Sequence, residues 1–250
     1  CIVTMSIAAL EALKSQFDIK PYCSAGHSLG EYCAMYCSGV MNLETTLKAI
    51  QQRADLMGAT KGGAMAAILN APEGSIENAL KEASNIGYVD VANYNSPAQV
   101  VITGDSEAVK KAGEILSAAG ARRVVPLAVS GAFHSKFMEK AGNEFASFVS
   151  ELDINNATVP VYTNVDAKST IDSEEFKNKM PRQIYSSVHW TQTIENMIKD
   201  GVDTFIEIGP GKVLAGLNKK IDSNVKTYNI FDKESLESTI SSLKEEMALA

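Results

Sequence analysis

The chain has 250 residues, 45% of them hydrophobic, with a formal net charge of −7 and a pI near 5.1. That length suits one large domain or a domain carrying a smaller insert. The acidic balance argues against nucleic acid as the main partner, and no apolar run approaches the ~18 residues of a membrane span. The four cysteines all lie within the first 37 residues and form no Cys-x-x-Cys pair. They read as small core residues of a reduced compartment rather than as a disulfide framework or a zinc site.

The sequence begins at Cys1 inside an apolar helical pattern (Ile2, Met5, Ala8, Leu10, Leu13, Phe17) with no basic segment or cleavage site before it. That is not a signal peptide, and it is the pattern expected of a chain whose start lies upstream. Tyr22–Ala25 then reads as a short buried strand, and Leu29–Ser38 as a helix closed by Gly39. Between them lies Gly26-His27-Ser28-Leu29-Gly30, the Gly-x-Ser-x-Gly pattern of a nucleophile elbow. In such a turn the flanking glycines are expected to be required by lack of space for a β-carbon. The helix N-terminus would aim N–H groups, that of Leu29 first, at negative charge developing beside Ser28.

Asn42 is placed to cap a second helix running to about Gly58, with Leu43, Leu47, Ile50, Ala54 and Met57 as its buried stripe. At ~100° per residue, Arg53 falls on the flank of that stripe. It can swing into a cleft from there, or snorkel at the surface. From Gly62 to about Val125 the pattern becomes strand, helix, strand, strand, helix, strand: Ala64–Leu69, Ser75–Ser84, Val89–Asn93, Val100–Gly104, Ser106–Ala119 and Arg123–Leu127. That order is the ferredoxin-like signature. The remainder returns to α/β, with strands Val159–Asn164, Thr204–Ile208 and Lys226–Ile230 and helices after Ser135, over Ser173–Ser186 and Trp190–Asp200, from Lys212 and at the end. The predicted architecture is α/β: a hydrolase-like parallel-sheet core from residues 1–61 and 126–250, with an inserted ferredoxin-like α+β subdomain over 62–125.

A serine needs a base to become nucleophilic, and the chain holds three histidines. His27 adjoins Ser28 and diverges from it, and His189 sits in an apolar Val-His-Trp context. His134 follows a strand in a loop of small residues, where α/β folds place catalytic groups, and is the preferred base. Gly209-Pro210-Gly211-Lys212 lacks the spacing of a phosphate loop and reads as a tight strand-to-helix turn.

Gly26–Tyr32, Gln52-Arg53 with Met57, Asn93–Pro97 with Gln99–Ile102, Val129–Ser135 and Glu207–Leu214 together resemble the malonyl-CoA:acyl carrier protein transacylases of type II fatty acid synthesis. The resemblance runs through nearly the whole chain. It implies a ping-pong transfer in which Ser28 attacks the malonyl thioester and His134 moves the proton, oriented by the backbone carbonyl of Gln183 rather than by an acid. It implies that Arg53 pairs with the malonyl carboxylate, that Phe133 excludes an α-methyl group and that Asn95 belongs to the substrate site. It also implies an oxyanion hole made of the Leu29 N–H and a Gly-Gln-Gly loop that does not occur in these residues. The expected partners are malonyl-CoA, as a substrate, and an acidic acyl carrier protein docking on Arg122, Arg123, Lys219 and Lys220. No metal or redox cofactor, nucleic acid or membrane is expected, the location is cytoplasmic or an organellar matrix, and no feature demands more than a monomer. Two rivals are an α/β-hydrolase-type serine esterase, which would run Ser, acid, His along the chain, and a non-catalytic carrier-binding fragment.

Overall fold

The computed structural model describes residues 1–249. Its first helix, α1 (Ile2–Gln16), leads to a two-residue strand β1 (Ser24–Ala25), then α2 (Gly30–Cys37) and α3 (Leu43–Ala59). The face of α1 that packs inward is Val3, Ser6, Ile7, Leu10 and Leu13. Ile2 and Met5, expected inside, are 50% and 36% exposed, because the apolar residues nearly encircle this helix and packing chooses among them. Asn42 caps α3 as predicted, its Oδ1 accepting from the Thr45 N–H at 2.8 Å.

Next come β2 (Ala64–Leu69), α4 (Ser75–Ala83), β3 (Val89–Ser96), β4 (Gln99–Gly104), α5 (Ser106–Ala118) and β5 (Arg123–Pro126). The four strands form one antiparallel sheet in the order β3-β4-β2-β5. Small residues let α4 and α5 lie close on it: Ala79, Ala83, Ala108 and Ala112 are fully buried against Ile68, Ile102 and Leu116.

The rest of the chain comprises α6 (Glu139–Val149), β6 (Val161–Tyr162), β7 (Ser169–Thr170), α7 (Ser173–Tyr185), α8 (Trp190–Lys199), β8 (Thr204–Ile208), α9 (Val213–Ile221), β9 (Lys226–Ile230) and α10 (Lys233–Leu249). Helices α2, α6 and α7 enclose a core of Tyr32, Met35, Phe145, Phe176, Met180 and Ile184, with the Tyr32 and Phe145 rings 6.5 Å apart.

The parallel pairing differs from a single continuous sheet. β1 pairs with β6 and β8 with β9, both in parallel, but the two pairs belong to separate sheets. An apolar cleft of about 590 Å³ is lined by β1 and β8 together with Leu10, Leu29 and Trp190, and the two strands share no ladder. β7 was not expected, since its polar residues carry no strand pattern; it pairs antiparallel with β6.

Three ties join the antiparallel sheet to the neighbouring loops. Gly62 bridges to Gly131, and the Ala132 N–H donates to the Gly62 carbonyl at 3.2 Å. Tyr94 and Val188 pair by a 2.9 Å bond from the Tyr94 N–H. Gly63, at φ +80°, has no room for a side chain, since a β-carbon would sit 2.6 Å from that of Ala132. The sheet therefore holds in place the loop that carries His134.

Candidate active site

Ser28 stands between β1 and α2 with φ +50°, a left-handed conformation that a serine adopts at a cost. The tightness of the turn is set on one side only. A β-carbon on Gly26 would lie 2.0 Å from the Gly30 backbone, so residue 26 must be glycine; nothing lies within 4 Å of the corresponding position on Gly30. The expectation of two sterically required glycines holds for the first alone.

Ser28 Oγ lies 2.8 Å from His134 Nε2. His134, itself at φ +54° and 5% exposed, directs Nδ1 at the carbonyls of Gln183 and Ser186, at 3.0 and 3.1 Å. These carbonyls are at the C-terminal end of α7, where helix acceptors lack partners in their own helix. Carbonyls only accept, so Nδ1 carries the hydrogen and Nε2 is free to accept from the serine hydroxyl. Burial, and then the charges of Arg53 and His27, pull the His134 imidazole down to about 3. It is therefore neutral, the form a general base requires.

That shift has a thermodynamic sign. The imidazole takes a proton more readily unfolded than folded, so its contribution to stability is full above the ordinary value of 6.5 and is lost as pH falls toward 3. Thermal unfolding followed by circular dichroism should show Tm dropping over that window, less steeply in His134→Asn; parallel profiles would contradict the assignment.

Arg53 reaches the serine from α3. Its Nη2 donates to Ser28 Oγ at 2.9 Å, its Nε to Gln183 Oε1 at 3.2 Å, and its guanidinium stands 5.6 Å over the Tyr32 ring. It is 6% exposed, at the centre of a buried face formed with Thr46, Ala49 and Met57. The predicted stripe was rotated from this one: Leu43 is 47% exposed and Ala54 also faces outward, because the helix turns its charged residue toward the site. Among the described residues, Arg53 makes no ion pair.

The donors at the start of α2 are nearly all committed. Gly30, Glu31 and Tyr32 N–H groups bond to the carbonyls of His27, Ser28 and Leu29, and the Ser28 N–H donates to Asn164 Oδ1 at 2.7 Å. Leu29 N–H is left, engaged by no hydrogen bond among the described residues. Asn164 was missed in the sequence. It braces the turn, its Nδ2 donating to the Gly26 carbonyl at 2.7 Å. Its place just after β6, at the carboxyl end of a parallel strand, was the available signal.

Other expected residues are spread more widely. Asn95 accepts from His27 Nε2 at 2.7 Å and is buried behind the elbow. Phe133 is partly buried, its carbonyl accepting from Thr103 Oγ1 at 3.1 Å. Arg122 and Arg123, beside and on β5, and Lys219 and Lys220, in the last turn of α9, are exposed. His189 stacks on Tyr94 at 5.2 Å and makes no hydrogen bond to Ser28 among the described residues. The Gly209–Lys212 turn joins β8 to α9, and Glu207 accepts from the Leu214 and Ala215 N–H groups at 3.1 and 2.7 Å, capping that helix.

A serine on a strained strand-to-helix turn, a neutral histidine at 2.8 Å and a buried arginine on the serine oxygen define an acyl-transfer enzyme. The family model described as the acyl transferase domain matches residues 1–239, and the chain belongs to that family. It is 39% identical over 249 residues to the malonyl CoA-acyl carrier protein transacylase of Bacillus subtilis, covering 98% of this chain and 78% of that one. Against the Escherichia coli K12 protein of the same name, identity is 40% over 223 residues, 88% of this chain and 72% of the relative. The solved malonyl CoA-acyl carrier protein transacylase of Clostridium perfringens superposes with a TM-score of 0.95 at 36% identity, covering 99% of this chain and 79% of that one. A malonyl-transacylase solved in complex with its type II PKS acyl-carrier protein superposes at 0.92, also with 36% identity, covering 96% and 79%.

Proposed function

We propose that this chain transfers a malonyl group from coenzyme A to the phosphopantetheine thiol of an acyl carrier protein, supplying fatty acid synthesis. The observation that carries this is Arg53: a buried guanidinium that makes no ion pair among the described residues and is bonded to the nucleophile itself. An unpaired buried charge is costly, and a substrate carrying a free carboxylate beside its thioester would satisfy it.

In the first half-reaction Ser28 Oγ attacks the thioester carbonyl while its proton passes to His134 Nε2. The Leu29 N–H faces the oxyanion, and collapse expels the coenzyme A thiol with the proton from His134. In the second, the carrier thiol gives its proton to His134 and attacks the malonyl-serine ester, and Ser28 recovers its hydrogen. The route draws on no metal or redox group, and malonyl-CoA is a substrate. Phe133, which precedes the base, would exclude an α-methyl group, and Asn95 would support the substrate site through His27. The esterase alternative has no support here: the His134 Nδ1 partners are backbone carbonyls, not an acid, and Arg53 has no role in it.

The antiparallel order β3-β4-β2-β5 supports a ferredoxin-like unit over 62–125, set into a hydrolase-like core of 1–61 and 126–250. A cytoplasmic or matrix setting accords with this chemistry, and among the described residues no helix is long and apolar enough to cross a membrane. Arg122, Arg123, Lys219 and Lys220 form the proposed docking surface for the acidic carrier. Reversing Arg122 and Arg123 should raise KM for the carrier about tenfold and spare acylation by malonyl-CoA; unchanged carrier kinetics would remove them from the interface.

Intact-mass spectrometry after mixing with malonyl-CoA tests the function. A malonyl adduct is expected on the chain and none on Ser28→Ala. A folded chain that takes up no malonyl group would overturn the proposal.

A further inference from the structure

Glu31 is fully buried on α2, three residues past the nucleophile, and no step of the transfer uses it. Its Oε2 accepts from the Asn164 backbone N–H at 2.9 Å and from Gln183 Nε2 at 3.2 Å; its Oε1 is buried with no hydrogen-bond partner among the described residues. A buried carboxyl held by one oxygen is an expensive group to keep where a leucine would pack.

The two groups it holds are the ones that shape the site. Asn164 takes the Ser28 N–H and the Gly26 carbonyl, so it sets the turn carrying the nucleophile. Gln183 supplies the backbone carbonyl to His134, its Oε1 accepts from Arg53 Nε, and its Nε2 donates also to the Ser28 carbonyl at 2.8 Å. The carboxyl of Glu31 is the point at which the serine, histidine and arginine supports meet.

We propose that Glu31 is a positioning residue for acyl transfer, fixing Asn164 and Gln183 from one buried oxygen so that Ser28, His134 and Arg53 keep their mutual distances. This rests on the acyl-transfer function proposed above. Reach, rather than charge, is what the geometry requires. Burial pushes the carboxyl up to about 7, against the opposing hydrogen bonds and the charges of Arg53 and Lys179. A neutral carboxyl still accepts at the same oxygen.

Two variants separate reach from charge. Glu31→Gln keeps the reach and an acceptor oxygen but loses the charge; Glu31→Asp keeps the charge and loses about one carbon of reach. Single-turnover acylation by malonyl-CoA, read by mass, should leave Glu31→Gln within about threefold of the parent chain. Glu31→Asp should be slower by about tenfold to a hundredfold, because displacements near 1 Å cost that much. Tm measured alongside confirms that both variants are folded. Glu31→Asp acylating at the parent rate, or a folded Glu31→Gln as slow as Glu31→Asp, would overturn the role of Glu31. A parent chain that never acylates would instead count against the function, so the two failures are distinguishable.

Discussion

His134→Ala should slow formation of the malonyl-Ser28 ester by about 10²–10⁴-fold, the usual worth of a positioned general base. The geometry leaves no substitute. His27 Nε2 is taken by Asn95, and His189 stacks on Tyr94 while His134 holds the Ser28 hydroxyl. Arg53 can stabilise negative charge on Ser28 Oγ, to which it donates at 2.9 Å, but it cannot accept the proton. Quenched-flow acylation read by mass gives the rate directly. A loss of less than tenfold would mean that another group takes the proton, and the assignment of His134 as base would fall.

Arg53→Met is expected to cost about 10²-fold in kcat/KM for malonyl-CoA while changing that for acetyl-CoA much less. Methionine keeps an apolar stem against Tyr32 and deletes the guanidinium, so folding is tested least. The magnitude follows from losing a charge-assisted bond to a carboxylate in a desolvated site, about 2–5 kcal/mol when one partner is removed. The same arginine bonds the serine in the free enzyme, so acetyl transfer should fall somewhat too. Arg53→Lys should not restore selectivity, since a single ammonium cannot supply the fork that holds both Gln183 and a substrate carboxylate. Parallel steady-state measurements with the two acyl donors decide it. Equal losses for both would make Arg53 a support for the nucleophile rather than a reader of the malonyl carboxylate.

The elements whose signal is local were legible in the sequence. The nucleophile elbow is written in five consecutive residues, and the Asn42 cap and the βαββαβ run follow from spacing and turn chemistry, as the strand limits at Ala64–Leu69 show. The choice of His134 could be made by elimination among three histidines. Where the sequence misled, the cause was a competition that spacing does not resolve. On α3, leucines and an arginine at compatible positions leave the buried face undetermined until Gln183 and Ser28 offer the guanidinium its partners. Gly30 looked as necessary as Gly26, and only the path of the backbone shows that one of the two faces open space.

The amino-acid order alone thus determined the class of chemistry: a serine on a tight turn, a loop histidine and an arginine in a helix, each carried by its neighbours. Tertiary structure decided what those residues do for one another. Asn164 and Gln183 lie 136 and 155 residues beyond Ser28, and although the resemblance points to the Gln183 carbonyl, only the fold brings their side chains to the Ser28 N–H and carbonyl. The protonation state of His134 was decided there too, since an imidazole becomes a neutral base only when burial and the Arg53 charge surround it. Hydrogen bonds between distant segments and the desolvation of a charge are properties of packing, and no local pattern in the chain encodes them.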